Sequence, residues 1–367
     1  MSTRAAAVHR IAMPDPGDAS GLAALIDDGV LDPRAIVCVM GKTPGNGLTN
    51  DHTREFATRS VADLLGQCLG EPVETVRERV LLLFSGGTEG LLAPHLLVFT
   101  RGEAPSRAAP GPGLAIGLAR SRALEPAEIG RLAELDAAAE ATRAALADAG
   151  LAPGEAAWVQ VKGPIPAPGA MHGPGAAALA APTVAGTKHL SRAAAALGVA
   201  VALGEVAREA VDAAALGARL ELRSSRACVT AAIDSPRVEV MVLGMGAGWS
   251  GGFHIDSTVL ADMLDAPAAA ALLGRLGLAA APQLSDAARR RLVGVLLKGD
   301  VPPDDRLRDG RTVLLDDSDV GPIRHYRAAM GGMLGALTGD NHVYLSGGAE
   351  HQAPPGGAIL AMIVRRD

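Results

Sequence analysis

Ser85-Gly86-Gly87-Thr88-Glu89-Gly90 follows the apolar run Val80-Leu81-Leu82-Leu83-Phe84, and 346 − 85 = 261 residues later the pattern returns as Ser346-Gly347-Gly348-Ala349-Glu350-His351 after His342-Val343-Tyr344-Leu345. Each copy reads as an apolar strand running into a Ser-Gly-Gly-x-Glu corner, then a loop containing proline, then a second apolar strand (96–99 and 358–364). A corner repeated at this distance predicts a chain built from related modules. It also sets a hydroxyl beside backbone N–H groups bare of side chains, an arrangement suited to holding or attacking a polar ligand.

Working outward, three segments share one order of events. In the first, residues 35–40 read as a buried strand ending at Gly41-Lys42, and Asn50-Asp51-His52-Thr53-Arg54 opens a helix with Asn50 or Asp51 as its expected cap. In the second, Ala157-Trp158-Val159-Gln160-Val161 ends at Lys162-Gly163, a Pro/Gly-rich loop covers 164–175, and Ser191-Arg192 is expected to open an Ala-rich helix over 193–203. In the third, residues 292–297 end at Lys298-Gly299, and Asp316-Asp317-Ser318-Asp319 precedes Arg324-His325 on a helix. The second corner has diverged. Aligned through its following strand (238–243), it reads Thr230-Ala231-Ala232-Ile233-Asp234, which keeps a hydroxyl and an acid and loses both glycines. Helices are also expected over 137–149 and 205–218. The predicted organisation is α/β, three similar units spanning 1–103, 112–250 and 255–367, with boundaries in 102–112 and near 248–253.

Composition narrows the function. The chain has 367 residues, too many for one ordinary core, and is 49% hydrophobic with only 2% aromatic residues, so aliphatic cores are expected. A net charge of −6 with scattered Lys and Arg argues against a nucleic-acid groove. No apolar run is long enough to span a bilayer, and the N-terminus lacks a signal-peptide pattern. Cys38, Cys68 and Cys228 form no pairing pattern, which fits a cytoplasmic protein. Gly41-Lys42-Thr43 invites a nucleotide P-loop reading, but that motif requires glycine where the chain has Ile36. His95, His342 and His351 lack zinc-ligand spacing. The polar loop after Glu350, with Asp300 as a partner, is a candidate for a hard structural cation such as Mg2+ or Ca2+, held through Asp300, Ala349, Gln352, Ala353, Pro354 and Gly357; a metal-free turn is the competing reading.

One lysine at a strand end is ordinarily a solvated side chain. Three of them, each followed by an arginine and a hydroxyl corner, predict convergence on one anion-binding centre. Burial and neighbouring cations there would lower lysine pKa values and let a Ser or Thr hydroxyl act as a nucleophile.

These residues resemble the cyanuric acid hydrolase/barbiturase family of ring-opening amidohydrolases. The resemblance runs along nearly the whole chain: Val39-Met40-Gly41-Lys42-Thr43, Gly45-Asn46-Gly47, Asn50 through Glu55, Ser85 through Gly90 with Pro94-His95, Val159-Gln160-Val161-Lys162, Ser191-Arg192 with Ala196-Leu197-Gly198, Asp317-Ser318-Asp319 with Arg324-His325, and Ser346 through Gln352. It implies three α/β units around a pseudo-threefold axis, a homotetramer, no cofactor required for the chemistry, and a small cyclic imide such as cyanuric or barbituric acid as substrate. The implied activity is hydrolysis of a cyclic amide, giving carboxybiuret or ureidomalonate. Carried across, the catalytic set is Lys42, Ser85, Lys162, Thr230, Lys298 and Ser346, with Lys162–Thr230 as the expected nucleophilic pair and Lys162 neutral. The substrate-binding set is Arg54, Arg192 and Arg324 with Ser85, Gly86, Thr230, Ala231, Ser346 and Gly347. The family pattern has serine where this chain has Thr230, and it usually has an acid where this chain has Pro44. Two alternatives therefore stand beside it: hydrolysis of another cyclic imide or ureide, and non-catalytic binding of a cyclic anion.

Overall fold

The computed structural model describes residues 4–48, 50–104 and 111–366; the ends of the predicted first and third units and residues 105–110 of the predicted first boundary lie outside them. Three four-stranded sheets occupy three consecutive stretches of chain. The first contains β1 (Arg4–Ala12), β2 (Ile36–Thr43), β3 (Leu81–Gly86) and β4 (His95–Glu103), with helices α1 (Ser20–Asp27), α2 (Thr53–Leu69) and α3 (Val73–Arg79) between them. The second contains β5 (Gly113–Ala123), β6 (Ala156–Pro164), β7 (Ala227–Ala232) and β8 (Arg237–Gly246), with α4 (Leu132–Ala149) and α5 (Val184–Ala202). The third contains β9 (Phe253–Leu260) and β10 (Leu292–Gly299), separated by α6 (Ala266–Arg275) and α7 (Asp286–Arg291). A two-stranded ribbon, β11 (Arg306–Leu307) and β12 (Gly310–Arg311), then precedes α8 (Pro322–Thr338), β13 (Tyr344–Ser346) and β14 (Ala358–Arg365).

The sheet orders are β1-β4-β2-β3, β5-β8-β6-β7 and β9-β14-β10-β13. Each is therefore first strand, fourth, second, third. In each, the second and third strands are parallel and the other pairs antiparallel. Successive side chains on a strand point to opposite faces, and the sequence obeys that rule toward one centre. On β2, Cys38 and Met40 join a core shared with Ile116, Val161 and Val240 of the second sheet and Leu296, Ile359 and Ile363 of the third, whereas Val39 packs outward beneath α1 and α2, as does Ile36, which precedes a register shift between Ile36 and Cys38. On β10, Leu296 faces the shared core and Val295 and Leu297 face α6 and α8. The helices thus lie outside and the three sheets meet inside. Lys42 and Lys298 continue the inward parity, so the pleat itself carries both amines to the centre.

Three local expectations are corrected. The helix carrying Ser191-Arg192 starts earlier, at Val184, where the Thr183 side chain accepts from the Gly186 N–H, so these residues sit mid-helix. Residues 205–218 form short 3-10 turns, as at Arg208–Ala210 and Ala213–Ala215, and not a helix. At α2 the N-cap is His52, without a side-chain cap bond, and not Asn50 or Asp51; Asp51 before it accepts from the Thr53 N–H at 3.0 Å.

Candidate active site

The register places each lysine directly opposite its hydroxyl on the parallel neighbour: Lys42 faces Ser85, Lys162 faces Thr230 and Lys298 faces Ser346. Ser85-Gly86, Thr230-Ala231 and Ser346-Gly347 then converge from three units on one cavity of about 330 Å³. Arg54, Arg192, Arg327 and Lys188 complete its cationic wall.

Two of the lysines are alike. Lys42 Nζ lies 3.4 Å from Ser85 Oγ and donates to the Gly86 carbonyl at 2.9 Å and to the Leu345 carbonyl of the third unit. Lys298 Nζ lies 3.2 Å from Ser346 Oγ and donates to the Gly347 carbonyl at 2.9 Å and the Val229 carbonyl of the second unit at 2.8 Å. Both amines are fully buried behind their serines. Burial, then the Arg327 charge, drives the Lys42 pKa well below its ordinary value. Burial with Arg192 nearby lowers Lys298 to about 8. A neutral amine has two N–H donors and one lone pair. In each pair two carbonyls take two donors, and the third position on nitrogen faces the serine Oγ: an ammonium donates to it, and the neutral amine offers its lone pair to the serine O–H.

Lys162 differs, and the expectation of a neutral amine there is corrected. Its Nζ meets three acceptors: Asp234 Oδ2 at 3.0 Å, Glu239 Oε2 at 2.8 Å and the Leu82 carbonyl at 3.3 Å. Three acceptors match the three donors of an ammonium. Burial works against the charge, but the two carboxylates outweigh it and the pKa is raised. The cause is register. Across the antiparallel neighbour, Lys162 faces Glu239, whereas Lys42 faces His95, held neutral by burial with its pKa near 3, and Lys298 faces Ile359. Thr230 Oγ1 donates to the Val161 carbonyl at 3.2 Å instead.

The arginine assignment also changes. The residue after each lysine touches the residue before the site arginine. Thr43 Oγ1 accepts from Thr53 Oγ1 at 2.8 Å, a Cβ on Gly163 would lie 2.8 Å from Ser191 Oγ, and one on Gly299 would overlap the Tyr326 hydroxyl. The equivalent arginines are therefore Arg54, Arg192 and Arg327. Arg324, expected from sequence, is half-exposed, 3.5 Å from Glu89, and not among the residues lining the cavity. Arg192 and Arg327 are each clamped by the corner glutamate of another unit. Arg327 Nε donates to Glu89 Oε2 at 2.6 Å, and Arg192 Nε to Glu350 Oε2 at 2.7 Å, each with a second guanidinium bond to the same carboxylate. Gly87 and Gly348, at φ +98° and +73°, lie under these guanidinium groups; a Cβ would come within 2.7 and 2.8 Å of the respective Cζ atoms. The second unit offers Ala232 and Asp234 at the matching stations, and Asp234 is taken by Lys162. Arg54 accordingly has no such clamp. Its Nη2 donates to the Leu48 carbonyl, and Asp51 lies 3.7 Å from its Nε.

Lys188 was missed in the sequence. It lies one helical turn before Arg192, a spacing that does share a face once the helix is known to begin at Val184. Its Nζ donates to the Gly47 carbonyl at 3.3 Å, and burial together with Arg54 and Arg192 lowers its pKa to about 7.

The loop expected to hold a cation is crossed by hydrogen bonds. Asp300 accepts from the Val301 and Ala349 N–H groups at 2.9 Å each, and Gln352 Oε1 accepts from Val229 N–H at 2.6 Å. The carbonyls of Ala349, Pro354 and Gly357 accept from Gln352, Gly357 and the Tyr326 hydroxyl, and Ala353 N–H donates to Ser224. Among the described residues no group of three or more His, Cys, Asp or Glu side chains is placed to hold a metal ion. These hydrogen bonds tie the third corner to the second unit. No described helix is long and apolar enough to cross a membrane.

The family model described as amidohydrolase ring-opening protein matches residues 7–365. A cyanuric acid amidohydrolase of Bradyrhizobium diazoefficiens is 42% identical over 370 residues, covering 100% of this chain and 99% of that protein. A cyclic amide hydrolase of Azorhizobium caulinodans is 40% identical over 361 residues, covering 98% and 99%. Among solved structures, one described as cyanuric acid hydrolase, evolutionary innovation by structural concatenation, superposes with a TM-score of 0.93 at 37% identity, covering 99% of this chain and 100% of that one. A crystal structure of cyanuric acid hydrolase from A. caulinodans gives 0.89 at 40% identity, covering 99% of each chain. With the repeated Lys–hydroxyl register, the family match over 7–365 and these full-length relatives, the chain belongs to the ring-opening amidohydrolases, the family of the cyanuric acid hydrolases.

Proposed function

We propose that this protein hydrolyses one ring amide bond of a flat cyclic imide, cyanuric acid or barbituric acid, with Ser346 as nucleophile and Lys298 as its base. The observation that carries the reading is the donor count at Lys298: two carbonyls use two N–H groups, and the remaining position on nitrogen faces Ser346 Oγ at 3.2 Å. A base works best with a pKa near the working pH, which favours Lys298, at about 8, over the more strongly depressed Lys42.

Ring oxygens meet Arg54, Arg192, Arg327 and the three hydroxyl corners, which suit a planar ligand with carbonyls on three sides. Ser346 Oγ attacks one carbonyl carbon while its proton passes to Lys298 Nζ. Backbone N–H groups of the Ser-Gly-Gly corner stabilise the oxyanion. The C–N bond breaks as the ring nitrogen takes the proton from Lys298, and water then releases the acyl group from Ser346. Lys42–Ser85 holds the ring from the first unit. Lys162 contributes fixed positive charge, and Thr230 contributes a binding hydroxyl in place of the nucleophile's role expected from sequence. A homotetramer is part of this reading and is checked by light scattering.

Loss of ring absorbance with cyanuric and barbituric acid tests the chemistry. Ser346→Ala should lose turnover by about a thousandfold or more, on the scale of removing an activated nucleophile, while Thr230→Ala stays within about tenfold of the parent. If Thr230→Ala is dead and Ser346→Ala still turns over, the second unit carries the reaction.

A further inference from the structure

Arginine–glutamate clamps close two of the three inter-unit seams: Arg327 with Glu89, and Arg192 with Glu350. Among the described residues the third seam, between the second corner and α2, has no clamp. Asp234 has turned to Lys162, and Ala232 puts a methyl group at the station where glycine accommodates a guanidinium in the other two. A chamber of about 470 Å³ opens there, and it shares Arg54, Phe84, Lys188, Thr230 and Ala231 with the central cavity. Most of its polar side chains are engaged, with the buried Arg54 Nε and Arg77 Nε left without a hydrogen-bond partner. Arg77 pairs with Glu55 at 2.9 Å, Lys162 with Asp234 and Glu239, and Asp51 accepts from Gly47 and Thr53. What it offers a ligand is apolar wall: Leu82, Phe84, Ile165, Val184, Ala232 and Ile233.

We propose that the open seam receives an apolar substituent on the ring, so that the preferred substrate is an alkyl-substituted cyclic imide rather than the bare ring. This rests on the ring-binding reading above and deepens it. The bare six-membered ring is satisfied within the central cavity, where the cations and hydroxyls are. A chain attached to the ring passes Thr230 and Ala231 into a space whose wall is hydrocarbon.

The test is calorimetric binding of barbituric acid, 1-butylbarbituric acid and 5-butylbarbituric acid to the full chain and to Val184→Phe, with ring opening followed in parallel. At least one butyl ligand should bind about tenfold to a hundredfold more tightly than barbituric acid, as expected for burying a few methylene groups. Val184→Phe should erase that advantage and leave barbituric acid affinity within about twofold. Butyl ligands that bind no better than barbituric acid overturn the proposal. So does a Val184→Phe effect equal for all three ligands, which would make the seam a common doorway. Binding with the butyl preference but without ring opening supports this inference and defeats the hydrolase reading alone.

Discussion

Lys298 gives a stability signature that depends on its burial and not on any assay of turnover. In the unfolded chain its amine keeps the ordinary pKa of 10.5, and in the folded protein the value is about 8. The unfolded state therefore binds more protons between these values. Stability from this group is full above pH 10.5, falls as pH drops through the window, and is lost below about 8. The gap of 10.5 − 8 = 2.5 pKa units, at about 1.4 kcal/mol per unit, corresponds to roughly 3 kcal/mol. Lys298→Met keeps the stem and removes the titration. It also leaves the Val229 and Gly347 carbonyls without this donor, a cost of about 1–3 kcal/mol. At pH 7 the two effects oppose each other, and the variant should be nearly as stable as the parent. Urea unfolding at half-unit steps from pH 7 to 10 should show the parent gaining on Lys298→Met by about 2–3 kcal/mol across the series. Lys42 and Lys188 titrate in both proteins and feel the Lys298 charge, so the difference between the two curves reports Lys298 together with its coupling to them. Parallel curves would refute the buried-amine reasoning. They would also remove the basis for Lys298 as a base, because a solvated ammonium at 10.5 gives no lone pair at neutral pH.

Two further outcomes follow from the same geometry. Lys162→Ala should destabilise the fold by about 1–3 kcal/mol, because it leaves Asp234 without its cation while Glu239 keeps Arg120 at 3.3 Å; a loss under about 1 kcal/mol in urea titration would show that the triad is solvated. Gly348→Ala places a methyl 2.8 Å from Arg192 Cζ at φ +73°, so it should cost about 1–2 kcal/mol in backbone strain and weaken barbituric acid binding at least about tenfold by displacing the guanidinium; unchanged affinity by calorimetry would separate the Arg192 clamp from ligand binding.

Reading the chain in one dimension was enough to find three units, three lysines and three hydroxyl corners, because these follow from rules that act locally. Alternating side chains decide which face of β2 and β10 carries Lys42 and Lys298, a serine followed by two glycines marks the first and third corners, and the strand over 238–243 aligns Thr230-Ala231-Ala232 with them. Other features depended on residues brought together from far along the chain. Arg324 and Arg327 are three residues apart on α8, nearly one turn, so sequence gives both a similar facing, and only the contact of Tyr326 with Gly299 and Gly357 selects Arg327. The start of α5 at Val184, inside a stretch rich in Pro, Gly and Ala, hid Lys188. Most consequential is Lys162. Its position matches Lys42 and Lys298, but its charge is set by Glu239 across an antiparallel pairing and by Asp234 beyond the corner, 77 and 72 residues away (239 − 162 and 234 − 162). Position along the strand is a local property and was legible in the sequence. Protonation is the balance of burial against every neighbouring charge, and that balance exists only once the sheets have assembled.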